Sequence, residues 1–107
     1  MLLKGYTFLM LSILLEVFST QMMKLSDGFT KLFPSIAFAI GMGSCFYIFS
    51  KTLAILPLGI AYAIWAGLGT ALTALLAVFL WKETMTLQMI IGILFIIIGV
   101  ILLNLRY

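Results

Sequence analysis

Four long apolar runs divide the chain, and nearly all the charges fall between them. Lys4 precedes a run from Gly5 to Met23 that only Glu16 and a few polar side chains interrupt. Lys24, Asp27, Gly28 and Lys31 form a polar turn, and Pro34 stands where a proline can open a helix. Phe33 to Phe49 is largely apolar up to Lys51, and Pro57-Leu58-Gly59 makes the next break. Ile60 to Trp81 carries no charge, Lys82-Glu83 is a two-charge turn, and Thr84 to Leu105 runs to Arg106. Each run is about 20 residues long, the length an α-helix needs to cross ~30 Å of hydrocarbon. The ten-residue alternation of a membrane β-barrel is absent. The pattern predicts an all-α integral membrane protein, a single domain over residues 1–107 with four transmembrane helices at approximately 4–23, 33–51, 59–81 and 85–105. Lys4 ahead of an apolar stretch also resembles a secretory signal. Glu16 interrupts that stretch and no A-x-A pattern follows, so the segment is expected to remain as a span.

Composition agrees with the pattern. Hydrophobic residues make up 65% of the chain and charged ones 8%, against the roughly 25–35% that a soluble surface wants. The absence of His and the single Cys leave no His/Cys metal site and no disulfide framework. No metal and no cofactor is expected. A net charge of +3 resting on nine ionisable side chains is too sparse for a nucleic-acid surface. The loops are too short to hold an extramembrane active site, so function is expected between the helices, among membrane lipids.

Orientation in a bilayer follows the Lys/Arg excess on the cytoplasmic side. With four spans, Lys4, Lys51 and Arg106 share one side, and Lys24, Lys31 and Lys82 share the other. The tally is even. Either other signals set the orientation, or copies insert both ways and pair as an antiparallel, dual-topology homodimer. A partner is expected in any case, because four helices have little room to surround a solute while shielding it from lipid. Small residues allow close helix approach in lipid. They recur as Gly59, Ala63, Gly67 and Ala71 in the third span, and as Ala37, Gly41 and Cys45 in the second. Gly92 and Gly99 stand one heptad apart in the fourth, and this pair reads as a dimer seam. The same spacings also suit packing within one protomer.

Glu16 is the only ionisable side chain far from any span end. A carboxylate at mid-bilayer costs about 2.5–3.5 kcal/mol on insertion scales, and such residues mark functional sites by default. Every Lys and Arg lies at a membrane edge, so no buried base is available to it. Helical spacing puts Ser12, Ser19 and Thr20 on its surface, with Leu9 and Met23 extending the stripe. A carboxylate among hydroxyls with no fixed cation suits a site that binds a mobile one, and protons then compete for the same oxygens. Tyr62 and Trp65, three apart on the third span, offer aromatic faces that attract cations by ~0.5–2 kcal/mol. Ala66 and Gly69 continue that face, and Gly67-Leu68-Gly69 invites a bend. Ile13, Met42 and Phe46 complete the candidate lining. One carboxylate without an acid–base or nucleophile partner is not an enzyme's active site.

These residues resemble the small multidrug resistance family of bacterial exporters over essentially the whole chain. The segments that carry the likeness are Glu16, Met23-Lys24-Leu25-Ser26-Asp27-Gly28-Phe29-Thr30-Lys31, Pro34-Ser35, and Leu56-Pro57-Leu58-Gly59-Ile60-Ala61-Tyr62-Ala63-Ile64-Trp65-Ala66-Gly67-Leu68-Gly69. The resemblance implies a four-helix protomer, an antiparallel dimer in the bacterial plasma membrane, and proton-coupled export of lipophilic organic cations. It places the family's membrane carboxylate on Glu16 and its substrate-lining aromatics on Tyr62 and Trp65. It places the helix kink on Gly67 and Gly69, and the glycines of the dimer seam on Gly92 and Gly99. The guanidinium-exporting branch typically has Gly three residues before the acid and Trp three after it, where this chain has Ile13 and Ser19. Ala66 stands where many members have Ser or Thr. Both departures imply the quaternary-ammonium and drug-exporting branch. A guanidinium exporter and a non-transporting membrane subunit are the alternatives. Some relatives work as two-gene pairs, which the even charge tally disfavours.

Overall fold

A computed structural model describes residues 2–106. Four helices follow one another in the chain: α1 (Leu2–Leu25), α2 (Leu32–Leu53), α3 (Leu58–Leu80) and α4 (Leu87–Arg106). All four are long and apolar enough to cross a bilayer. In hydrocarbon a helix satisfies its own backbone, so the energetic questions move to its ends and to its contacts.

The ends are built locally. Between α1 and α2, Ser26 Oγ donates to the Met23 carbonyl at 2.6 Å and accepts from the Phe29 N–H at 3.0 Å. That single buried hydroxyl lets the chain turn through Asp27, Gly28 and Phe29, all in the left-handed region with φ of 51°, 70° and 64°. Pro57 stands just ahead of α3 and costs no helical hydrogen bond there. The α3–α4 connection is longer than the two charges alone indicate. Residues 81–86 lie outside both helices, and Thr86 Oγ1 accepts the Met89 N–H at 3.1 Å to start α4.

The helices pack unevenly. α1 lies along α2 in the most extensive contact, touches α3 over a shorter stretch, and α4 packs on α3. The Ala37-Gly41-Cys45 stripe of α2 makes the first contact close. A Cβ on Gly41 would run into Ser19 Oγ, and Cys45 Sγ donates to the Ser12 carbonyl of α1 at 3.1 Å. Leu9, Ile13 and Val17 of α1 meet Phe49, Leu56, Ala61 and Ile64 to form the core. On the other side of α3, Gly67 lets α4 approach, since its missing Cβ would lie 3.0 Å from Val100 and 3.2 Å from Ile96.

The resulting body measures 42 × 35 × 17 Å. Its short axis is less than two helix diameters of about 10–12 Å. The protomer is therefore a slab and not a closed bundle, with α4 at one edge. Gly92 and Gly99 face open space on that helix, amid exposed Ile91, Leu94, Phe95 and Ile98.

Because Gly41 is held against Ser19, Gly41→Ala should lower unfolding stability in detergent by about 1–3 kcal/mol, the usual cost of overpacking. Ser19→Ala in the same chain removes the obstructing hydroxyl and should recover most of the loss in a thermal melt.

Candidate functional site

A cavity of about 570 Å³ opens between the C-terminal halves of α1 and α3. The core fills the space between these helices lower down, where Leu9 and Ile13 sit against Leu56, Ala61 and Ile64. Above Val17 the facing residues become small: Ala66, Gly69, Thr70, Thr73, Ala74 and Ala77 present little volume toward α1. The gap is the consequence of that change in side-chain size.

Glu16 lies at the inner end of the gap. Thr20, one turn on, shares its hydroxyl proton between the Glu16 backbone carbonyl at 2.9 Å and the carboxyl Oε1 at 3.2 Å. The other carboxyl oxygen, Oε2, is buried and has no hydrogen-bond partner. It rests on the backbone of α3, 2.8 Å from where a Cβ on Gly69 would be. Glycine at 69 is thus what lets the acid reach the opposite wall. Trp65 lines the same cavity. Its indole N–H is buried on the side of the Cys45 thiol of α2 and makes no well-formed hydrogen bond.

Trp65 belongs to an aromatic cluster. Its ring centroid is 5.2 Å from that of Phe49, 5.7 Å from Tyr62 and 6.2 Å from Phe46. Phe49 also meets Tyr62 edge-on at 6.4 Å. The cluster braces the indole from the α2 side.

Of the residues that the sequence suggests, Glu16, Thr20, Trp65, Ala66 and Gly69 are together around the cavity. Tyr62 and Phe46 join through the aromatic cluster, on its exposed side. Leu9, Ser12, Ile13 and Ser19 are placed elsewhere. All four are buried at 1% exposure or less, and the two serine hydroxyls donate to carbonyls of α1 itself, those of Leu9 and Leu15. They share a helix surface with Glu16, but α2 and the lower part of α3 cover them. Met42 is half-buried on α2 and is not part of this lining. Gly67 faces α4, and α3 is helical from Leu58 to Leu80.

The sequence reading did not single out Phe49, nor the outer wall of the cavity, made by Gln21, Lys24, Thr70, Thr73, Trp81, Glu83 and Met89. A signal for that wall exists. Ala66, Thr70, Thr73 and Ala77 recur at helical spacing along one face of α3, with Trp81 one turn beyond, and a small and partly polar stripe on an apolar span can border a space.

A family model described as Small Multidrug Resistance protein matches residues 4–96. The quaternary ammonium compound-resistance protein QacH of Staphylococcus saprophyticus is 50% identical over 99 residues, covering 92% of each chain. The corresponding protein QacG of Staphylococcus sp. (strain ST94) is 48% identical over 99 residues, with the same coverage. The multidrug resistance protein EbrA of Bacillus licheniformis is 44% identical over 101 residues, 94% of this chain and 96% of that one.

The two α3 glycines should separate by readout. Gly69→Ala should shift the Glu16 carboxyl band in an infrared difference spectrum, because the acid loses its place on α3. Gly67→Ala should leave that band in place and instead lower thermal stability, through the α3–α4 contact.

Proposed function

We propose, because the chain belongs to the small multidrug resistance family and its half-buried acid lines a cavity, that it is a proton-coupled antiporter exporting lipophilic and quaternary ammonium cations. The family places it in the bacterial plasma membrane as a multi-pass protein and as a transporter, not an enzyme. The relatives' quaternary ammonium and multidrug resistance supports the substrate class. The observation that carries the mechanism is Glu16: an acid near the middle of α1, with one oxygen unpartnered and, among the described residues, no basic side chain within four helical positions of it.

In this reading the carboxyl of Glu16 holds either a proton or the cation. A cation entering the cavity meets the carboxylate on one side and the Trp65 face, backed by Tyr62 and Phe49, on the other. Both contacts act best where water is excluded. When a proton arrives, the charge that held the cation is gone and the cation leaves. Exclusive occupancy couples the two flows, since neither ligand moves the acid across without displacing the other. In this reading α3 flexes at Gly67 and Gly69 when access changes.

The transporting unit is a homodimer, paired through the uncovered face of α4 at Gly92 and Gly99. One slab cannot enclose a solute, whereas two slabs facing each other bring two copies of Glu16 to one chamber. The even distribution of Lys and Arg between the two membrane faces supports antiparallel pairing. The two acids of such a dimer titrate as a coupled pair.

Tetraphenylphosphonium affinity of the detergent-solubilised protein should weaken as pH falls, by up to about tenfold per pH unit for each proton displaced. Adding the cation should release protons. Glu16→Gln should abolish both effects, and a pH-independent affinity that survives this substitution overturns the proposal. Guanidinium should compete far less well than the quaternary cation.

A C-terminal tag should be reached by a membrane-impermeant label from both sides of the membrane. Gly92→Leu combined with Gly99→Leu should convert dimer to monomer in crosslinking, with loss of transport. Labelling from one side alone sinks the antiparallel arrangement.

A further inference from the structure

The cavity that starts at Glu16 ends, about two helical turns further along α1, on a second cluster. Trp81 stands just beyond the last turn of α3, and its indole Nε1–H donates to Gln21 Oε1 of α1 at 2.6 Å. That bond joins the two helix ends and fixes the plane of the ring. The ammonium of Lys24 stands 4.9 Å from the ring centroid. Gln21, Lys24, Trp81 and Glu83 all line the cavity that contains Glu16.

Two other lysines stand over aromatic rings, Lys4 over Phe8 and Lys51 over Tyr47. Each of those pairs is four residues apart on one helix, and neither contributes to this cavity. Such neighbours meet wherever helical spacing puts them together. Lys24 and Trp81 are different. They come from α1 and from the end of α3, and the ring they share is held by a hydrogen bond and turned toward the cavity. The contact is chemically the one a quaternary ammonium makes with an indole. Lys24 is exposed and carries a flexible four-carbon stem, whereas Trp81 is half-buried and pinned. When a second cation comes to this ring, the lysine is the partner that yields, because its ammonium is strongly hydrated and returns to water. Glu83, on the same wall, offers the arriving charge a carboxylate.

We propose that the Trp81 face is an outer binding station for organic cations at the mouth of the Glu16 cavity, occupied by Lys24 as a built-in competitor until an incoming cation displaces it. The inference rests on the reading of this cavity as a cation path. The station lets a lipophilic cation exchange water for an aromatic face before it reaches Glu16. It also selects for cations that bind an indole better than a lysine does, which favours aromatic and quaternary ions over small hydrated ones.

The test uses ethidium, an aromatic cation whose emission rises on binding, with the full-length protein in detergent. In a Glu16→Gln background, which weakens the inner site, Lys24→Met should tighten ethidium binding about two- to thirtyfold, the range a cation–π contact spans. Trp81→Leu should weaken it, and Lys24→Met should then bring no gain when added to Trp81→Leu. Lys31→Met, which removes a charge from the same turn outside the cavity lining, should change nothing. Tighter binding in Lys24→Met cannot come from a damaged fold, so this arm stands even where Trp81→Leu is unstable. Equal gains from Lys24→Met and Lys31→Met, or no gain from Lys24→Met, overturn the station while leaving Glu16 binding intact in the otherwise native protein. Failure of the native protein to bind ethidium at all overturns the cavity reading itself, and the station with it.

Discussion

The molecule is organised around one uncompensated acid in a hydrocarbon layer. A carboxyl group in that setting needs a counter-charge, a proton or a hydrogen bond. The chain gives it only part of one, the shared hydroxyl of Thr20. The neighbouring residues are chosen for what they omit. Gly69 omits a side chain, so the carboxyl can lie against α3. Ala66, Ala74 and Ala77 omit volume, so a space remains. The lysines stand toward the span ends, and among the described residues none forms an ion pair with the acid. The cost of leaving Glu16 unsatisfied is one that any proton or hydrogen-bond donor reaching it would lower.

Packing divides the protomer into a firm part and an open part. Where α2 meets α1, small residues bring the helices together until serine hydroxyls and a cysteine thiol bond to α1 carbonyls within the contact. There is no hydrophobic drive between helices in lipid, so this closeness supplies the dispersion contacts that hold the pair. Between the upper halves of α1 and α3, small residues do the opposite: Ala66, Thr70, Thr73, Ala74 and Ala77 stand across from the polar Glu16, Thr20, Gln21 and Lys24 with a space between, and Trp81 and Gln21 join the helix ends. Small side chains therefore have two meanings here. Pressed against a neighbouring helix they make contact, and set back from one they make room.

The four helices were legible because membrane helices announce themselves by length and by the charges that separate them. The α3–α4 connection was less so, since Thr84, Met85 and Thr86 carry no charge and only the Thr86 cap shows where α4 begins. Glu16 was legible as the lone charge within a span, and Thr20, Trp65, Ala66 and Gly69 followed from helical spacing. That spacing could not say which neighbours of Glu16 another helix covers. Ser12 and Ser19 share its surface in projection, yet lie under α2. Lys24 stands in a polar turn and Trp81 at a span end, and nothing in the sequence marks Gln21, because their meeting across sixty residues of chain is a tertiary fact.

The place of Gly69 beneath Glu16 links the acid to the angular position of a helix. Leu68 and Thr70 flank the glycine, and each carries a side chain. Turning α3 about its own axis by one residue would bring a Cβ against Oε2, and the carboxyl, at the far end of a flexible side chain, would have to swing aside. The seat of the acid and the rotation of α3 are therefore geometrically linked through a single missing methyl.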